Sequence, residues 1–311
     1  MPLKKKPKAR KPTDIAVIDI GSNSVRLVIY RFTAKKDWPV YEKNATCGLA
    51  AGLKHASPRL SRKGMTRTLK TLRKFRRALL KRHPDRIYAI GTAAMRAVSH
   101  TRAGKQFHRR AEQALGCRIA VISGRKEARL TAYGVISSVP KAVGVCGDLG
   151  GGSLELATIN RGHVGHTVTL ALGSLTLVSE SGGDPLTAER LMHKHLNHVA
   201  WLPHMKGGTF YPIGGSWRAV ARVMMKKLGK PLQKVHGFTI RAAKAWRYAE
   251  DMAHQNPAAF RKMHKKISHR ADVIPFAAAA LAEIIMRMHP EWVTFSGHGV
   301  REGLVREKQL T

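Results

Sequence analysis

Acidic residues are scarce in this chain. Its 311 residues hold 19 Asp and Glu against 56 Lys and Arg, a formal net charge of +37. A field of that sign attracts polyanions and speeds their capture. Nucleic acid, polyphosphate and anionic membrane surfaces all remain as partner classes, and charge alone does not choose among them. Aromatic residues are few as well, 6% of the chain, which argues against nucleic-acid recognition by base stacking. Only three cysteines occur, Cys47, Cys117 and Cys146, with no metal-type spacing. Neither a disulfide framework nor a Cys/His metal cluster fits that set, and reduced thiols in the cytoplasm do. No apolar run reaches membrane-span length. Pro275 to Met286 is short and carries Glu283, so it reads as a buried helix. A signal-type apolar stretch is absent before the first expected strand. No Ser-His-Asp or Cys-His nucleophile set stands out.

What the chain does have is one short phrase written twice. Asp19-Ile20-Gly21-Ser22-Asn23-Ser24-Val25-Arg26-Leu27 is matched by Asp148-Leu149-Gly150-Gly151-Gly152-Ser153-Leu154-Glu155-Leu156. Asp, Gly, Ser and Leu recur at identical offsets. An apolar run precedes and follows each copy, so each reads as strand, tight turn, strand. Such a turn bares backbone N–H groups and lets an anion approach the main chain closely. An adjacent Asp can hold a cation. Two copies suggest two related domains facing a shared phosphate-bearing ligand.

Hydropathy patterning gives an α/β alternation. Hairpins are expected at 13–32 and 143–160, with further strands near 40–47, 87–90, 119–122, 164–172, 210–213 and 293–295. A helix carries Met65, Leu69, Leu72, Phe75, Leu79 and Leu80 and stops before Pro84. Others are expected at 102–115, from Gly124 onward, at 187–200, from the 214–218 turn to 228, and at 240–253, 257–269 and 275–288. Residues 1–12 read as a disordered basic tail. The basic helix 62–83 and the segment 254–270 read as electrostatic guides.

Further turns follow strands at 91, 214 and 297. Together with Gly91-Thr92-Ala93-Ala94-Met95-Arg96, Ser123-Gly124-x-x-Glu127-Ala128-Arg129, Gly214-Gly215-Ser216 and Gly299-x-Arg301-Glu302-Gly303, the twin phrase resembles the Ppx/GppA family of exopolyphosphatases and guanosine pentaphosphate phosphatases. The resemblance runs from about 13 to about 306. It implies two actin-like (ribonuclease H-like) domains with the active site in the cleft between them. Domain I would span 13–125, with residues 303–311 packing back on it, and domain II 126–302.

The same resemblance implies roles. Glu127 is the catalytic carboxylate that activates or orients water. Asp148, Glu155 and Asp19 are the metal-site candidates, for Mg²⁺ or another divalent ion such as Mn²⁺. Ser22, Asn23, Ser24, Thr92, Gly150, Gly151, Gly152 and Ser153 line the phosphate path, with Arg96 as anion clamp. Gly215 and Ser216 take a nucleotide or the far end of the substrate. Arg26, His298 and Arg301 are further contacts. Inorganic polyphosphate is the expected substrate, and guanosine penta- or tetraphosphate the alternative. A non-catalytic polyanion binder, a kinase of the same fold and a nucleic-acid binder are the competing classes. A homodimer is compatible with this reading.

Overall fold

A computed structural model of the chain describes residues 12–33, 37–51, 53, 58–255 and 271–310. Residues 1–11 of the basic tail, the helix expected at 257–269 and most of the basic segment 254–270 lie outside the described residues.

The first half builds β1 (Thr13–Ile20), β2 (Ser24–Phe32), β3 (Asp37–Thr46), α1 (Arg62–Arg82), β4 (Arg86–Gly91), α2 (Ala93–Val98), α3 (Arg102–Leu115) and β5 (Ala120–Val121). The helix α4 (Gly124–Ser138) follows. The second half builds β6 (Val143–Leu149), β7 (Leu154–Asn160), β8 (His163–Leu170), α5 (Ser174–Glu180), α6 (Pro185–Leu196), β9 (Thr209–Ile213), α7 (Gly215–Lys227), β10 (Phe238–Arg241), α8 (Ala242–Ala253), α9 (Ile274–Met288), β11 (Trp292–Phe295) and α10 (Val300–Leu310).

The two sheets share one wiring. Their orders are β3-β2-β1-β4-β5 and β8-β7-β6-β9-β11-β10. In each, a three-stranded antiparallel meander pairs its first strand in parallel with the strand that comes next. The twin phrases occupy equivalent hairpins. Asp19 stands opposite Arg26 on β1 and β2, and Asp148 stands opposite Glu155 on β6 and β7. This α/β pair of like-wired sheets is the arrangement that the family resemblance implies.

Each sheet has its own core. Ile18, Ile20, Leu27, Leu72, Phe75 and Phe107 join α1 and α3 to the first sheet. Phe210, Trp217, Met224, Phe276 and Phe295 belong to the larger core of the second. Helix α4 serves both. Its Ala128, Ala132, Val135 and Ile136 pack against Cys146, Ile159 and Tyr211 of the second sheet. Its Leu130 joins Val17, Val28, Val300 and Leu304 on the outer face of the first. The boundary expected at 125/126 falls in the first turn of this shared helix, and α10 lies against both α4 and β1.

Glycines set how closely α4 and α10 approach. A Cβ on Gly303 would sit 1.7 Å from the Leu130 carbonyl oxygen, and one on Gly134 would sit 2.1 Å from that of Gly299. Both obstacles are main chain, so rotamer changes offer no relief. Gly303→Ala should therefore destabilise the protein by roughly 1–3 kcal/mol, read as a lower melting temperature. An unchanged melting temperature would mean that the helices separate at no cost.

Some expectations need correction. Residues 238–241 form β10 on the edge of the second sheet, antiparallel to β11, so the helix expected from 240 begins at Ala242. Helix α6 starts earlier than 187 because Asp184 caps it, its Oδ2 accepting from the Thr187 N–H at 2.8 Å. The short helix α2 follows the turn at 91 where only a turn was expected, and α5 lies in a stretch with no expected element. Six or seven residues are too few for a helical period to show.

Candidate active site

The two glycine-serine turns meet tip to tip. Each is closed by the same hydrogen bond, Gly21 N–H to Ser24 O and Gly150 N–H to Ser153 O, both at 3.0 Å. A Cβ on Gly151 would come 2.9 Å from the Ser22 Cβ, and one on Gly152 would come 2.9 Å from the Ser22 Oγ. The cleft between the halves opens beside this junction. Its walls carry Ser22, Asn23, Ser24, Thr92, Gly150, Gly151, Ser153, Gly215 and Ser216. Of the phosphate-path candidates, Gly152 and Arg96 are outside the lining. Gly152 packs against Ser22, and Arg96 turns to the acids described below.

Three carboxylates line the cleft: Asp19, Asp148 and Glu127. Asp19 and Asp148 are the penultimate residues of β1 and β6. Glu127 lies in the first turn of α4, whose cap is the Ser123 Oγ accepting from the Lys126 N–H at 3.2 Å. All three are held above their usual carboxylate range. Burial is the first cause for each. It pushes Asp148 up to about 6, helped by the charge of Asp19. It pushes Glu127 up to about 7, against the pull of Arg96. Asp19 is raised by burial, with Arg301 and Arg26 opposing.

Glu155, only 1% exposed, lies beneath the cleft wall. Burial and then the Glu127 charge raise its pKa well above the ordinary value. Arg96 bridges the two glutamates. Its Nη1 donates to Glu127 Oε2 at 2.7 Å and to the Ile122 carbonyl at 3.0 Å, and its Nη2 donates to Glu155 Oε1 at 3.3 Å. The arginine expected to clamp phosphate is thus, in this structure, the counter-ion of the acids, and it fixes where Glu127 Oε2 stands.

Three arginines line the cleft as well: Arg26, Arg218 and Arg301. Burial, then the charges of Arg301 and Arg218, pulls Arg26 down to about 10. Such crowded guanidiniums form a ready anion site. Arg301 also reaches Asp19 Oδ2 with its Nη1 at 3.5 Å. Its neighbour Glu302 works as an anchor: Oε1 accepts from the Tyr30 hydroxyl at 2.5 Å, and Oε2 accepts from the Gly299 N–H at 2.8 Å. The second contact is half of a capping box at the start of α10. The fixed letters of Gly299-x-Arg301-Glu302-Gly303 thus divide the work. Gly299 closes the helix start, Arg301 faces the cleft, Glu302 ties the helix to β2, and Gly303 lets α4 approach.

His298 is outside the cleft lining. Its ring stacks on His236 with centroids 4.7 Å apart, and its Nδ1 lies 3.2 Å from the Ser137 Oγ. Arg218 and Ser174 line the cleft without having been singled out in the sequence. One arginine among so many basic residues carries no signal of its own. Only its place two residues after Ser216 in a strand-to-helix turn could have marked it.

Whether these residues suit a divalent ion can be read from the donors. Asp19 and Asp148 offer hard carboxylate oxygens. Burial raises both, and the Asp19 charge raises Asp148 further, so a cation between them would relieve the strain on each. Glycines leave room around Asp148: a Cβ on Gly214 would come 3.0 Å from its Oδ1, and one on Gly299 3.8 Å from its Oδ2. Among the described residues the one close three-donor grouping, Glu189, Glu250 and His254, belongs to α6, α8 and the residue after α8, outside the cleft lining. The cleft therefore suits an ion held by one or two carboxylates plus water and substrate oxygens, the manner of Mg²⁺.

Comparison with known proteins agrees with this build. An exopolyphosphatase from Cytophaga hutchinsonii superposes with a TM-score of 0.84 at 21% identity, covering 95% of this chain and 97% of that one. The Aquifex aeolicus PPX-GPPA enzyme superposes with a TM-score of 0.78 at 23% identity, covering 96% and 100%. At such identities the likeness is one of fold. Among the described residues no helix is long and apolar enough to cross a membrane. Residues 28–311 match the Ppx/GppA phosphatase family, and the chain belongs to that family.

Proposed function

We propose that the protein is a metal-dependent exopolyphosphatase that releases the terminal phosphate of inorganic polyphosphate. The observation that carries this is the gathering, in one cleft, of three carboxylates and three arginines beside two joined glycine-serine turns. Phosphoryl transfer needs positioning and charge neutralisation more than covalent help, and that is what such a cleft supplies. Backbone donors of the turns and the guanidiniums of Arg26, Arg218 and Arg301 hold the terminal phosphate. Glu127 takes a proton from water as the water oxygen bonds to phosphorus. The bond from phosphorus to the bridging oxygen breaks, and the shortened chain leaves with that oxygen. Arg96 positions Glu127 and keeps it able to ionise near neutral pH. Asp148 and Asp19, with Glu155 behind them, would hold Mg²⁺ or Mn²⁺, which when bound offsets the charge of the phosphates.

The experiment is phosphate release from long-chain polyphosphate and from guanosine pentaphosphate, with and without Mg²⁺. Release from polyphosphate that needs the metal supports the proposal, and release only from guanosine pentaphosphate moves the function to the alternative substrate. No release from either would sink both. Three free cysteines among the described residues fit work in the reducing cytoplasm.

A further inference from the structure

Helix α1 carries a pattern that the cleft does not explain. Lys63, Arg67, Lys70, Lys74, Arg77 and Lys81 recur at steps of four, three, four, three and four. At 3.6 residues per turn, these steps put all six on one face. Every one of them is exposed. The opposite face buries Leu69, Leu72, Phe75 and Leu79. No acidic residue occurs in the helix. Among the described residues none of the six forms an ion pair, although acids elsewhere are paired with arginines and lysines. From Lys63 to Lys81, eighteen steps of 1.5 Å make a straight row about 27 Å long.

The row starts close to the cleft. The Ser61 N–H donates to the Leu49 carbonyl, and a Cβ on Gly64 would meet the Gly48 carbonyl oxygen at 2.4 Å. That same loop bonds to the cleft wall. Cys47 and Gly48 N–H donate to the Asn23 carbonyl, and Ala50 N–H donates to the Ser22 carbonyl. The N-terminal end of the basic row is therefore one hydrogen-bonded loop away from the first phosphate turn.

We infer that this face of α1 is a rail for the distal part of a long polyphosphate chain whose end lies in the cleft. The inference rests on the polyphosphate reading of the cleft and adds the substrate class by length. A regular line of like charges suits a flexible polymer with a charge on every unit. A nucleotide with a few phosphates is too short to reach along it. A single-stranded nucleic acid shares the charge, but the six-residue row contains no aromatic side chain for its bases.

The test replaces Lys70, Lys74 and Arg77 together by Gln, on exposed positions that leave the core intact. A control triple, Lys141, Lys194 and Lys206 to Gln, removes the same charge from exposed sites elsewhere. The rail triple should raise KM for long-chain polyphosphate at least tenfold, with kcat and the KM for tripolyphosphate unchanged. The slope of log affinity against log salt should become shallower by about 2, as for three lost contacts on a single-stranded polyanion. Equal losses in the two triples would reduce the rail to diffuse charge and overturn it. Anisotropy of labelled long-chain polyphosphate reads the same loss without turnover, so it still decides the rail if no hydrolysis is found. Single-stranded DNA of equal charge that binds as tightly, with the same dependence on the triple, would overturn polyphosphate as the occupant.

Discussion

Glu127→Gln is expected to slow terminal phosphate release by about 10²- to 10⁴-fold, the range for loss of a general base. The side chain keeps its shape, and its amide oxygen can still accept from the Arg96 Nη1 that Glu127 Oε2 meets at 2.7 Å. Binding of polyphosphate should therefore stay within a few-fold of wild type. Full retention of kcat would remove Glu127 from the chemistry. The pH profile adds a second check. The base acts when ionised, and its pKa is pushed up to about 7, first by burial. The rate should climb with pH and level off above about 7. An acid limb centred near 4.5 would mean that an ordinary, solvated carboxylate does the work.

The same substitution should make the protein more stable at alkaline pH. Glu127 has a folded pKa above its unfolded value of 4.5. The folded state holds a proton that the unfolded chain has already released. The stability from this source is full below pH 4.5 and is lost as the pH rises to about 7. The loss amounts to about 3 kcal/mol when complete. In chelator at pH 8, Glu127→Gln should melt several degrees higher than wild type. At pH 4 the two should melt together. A gain of equal size at both values would show that ionisation is not its source. Activity and stability thus run in opposite directions with pH at one residue, an arrangement common where a site is built for function.

The hairpins and most helices were legible because their signal is local. Apolar runs flanking a glycine-serine turn mark β1 and β2, and the three-four spacing of Leu69, Leu72, Phe75 and Leu79 marks α1. The turns that line the cleft were legible from glycine and serine at strand ends, and the ordered motifs named the family. The electrostatic wiring was not. Arg96 meets Glu127 and Glu155 across 31 and 59 residues of chain, and no local pattern says that an arginine after a phosphate turn will face acids instead. Arg218 was lost in the general excess of basic residues. The stacking of His298 on His236 depends on a loop far back in the chain, so a place inside a glycine turn does not tell a phosphate contact from a ring stack. Strand β10 exists because β11 offers it an edge.

The paired hairpins carry opposite charges at one equivalent cross-strand position, Arg26 opposite Asp19 and Glu155 opposite Asp148. A scaffold with true twofold symmetry would treat both ends of an extended polymer alike, and could not say from which side a unit is to be removed. That reversal of charge makes the two halves of the cleft unequal. An acid stands on one hairpin where a cation stands on the other, so a duplicated frame acquires a front and a back.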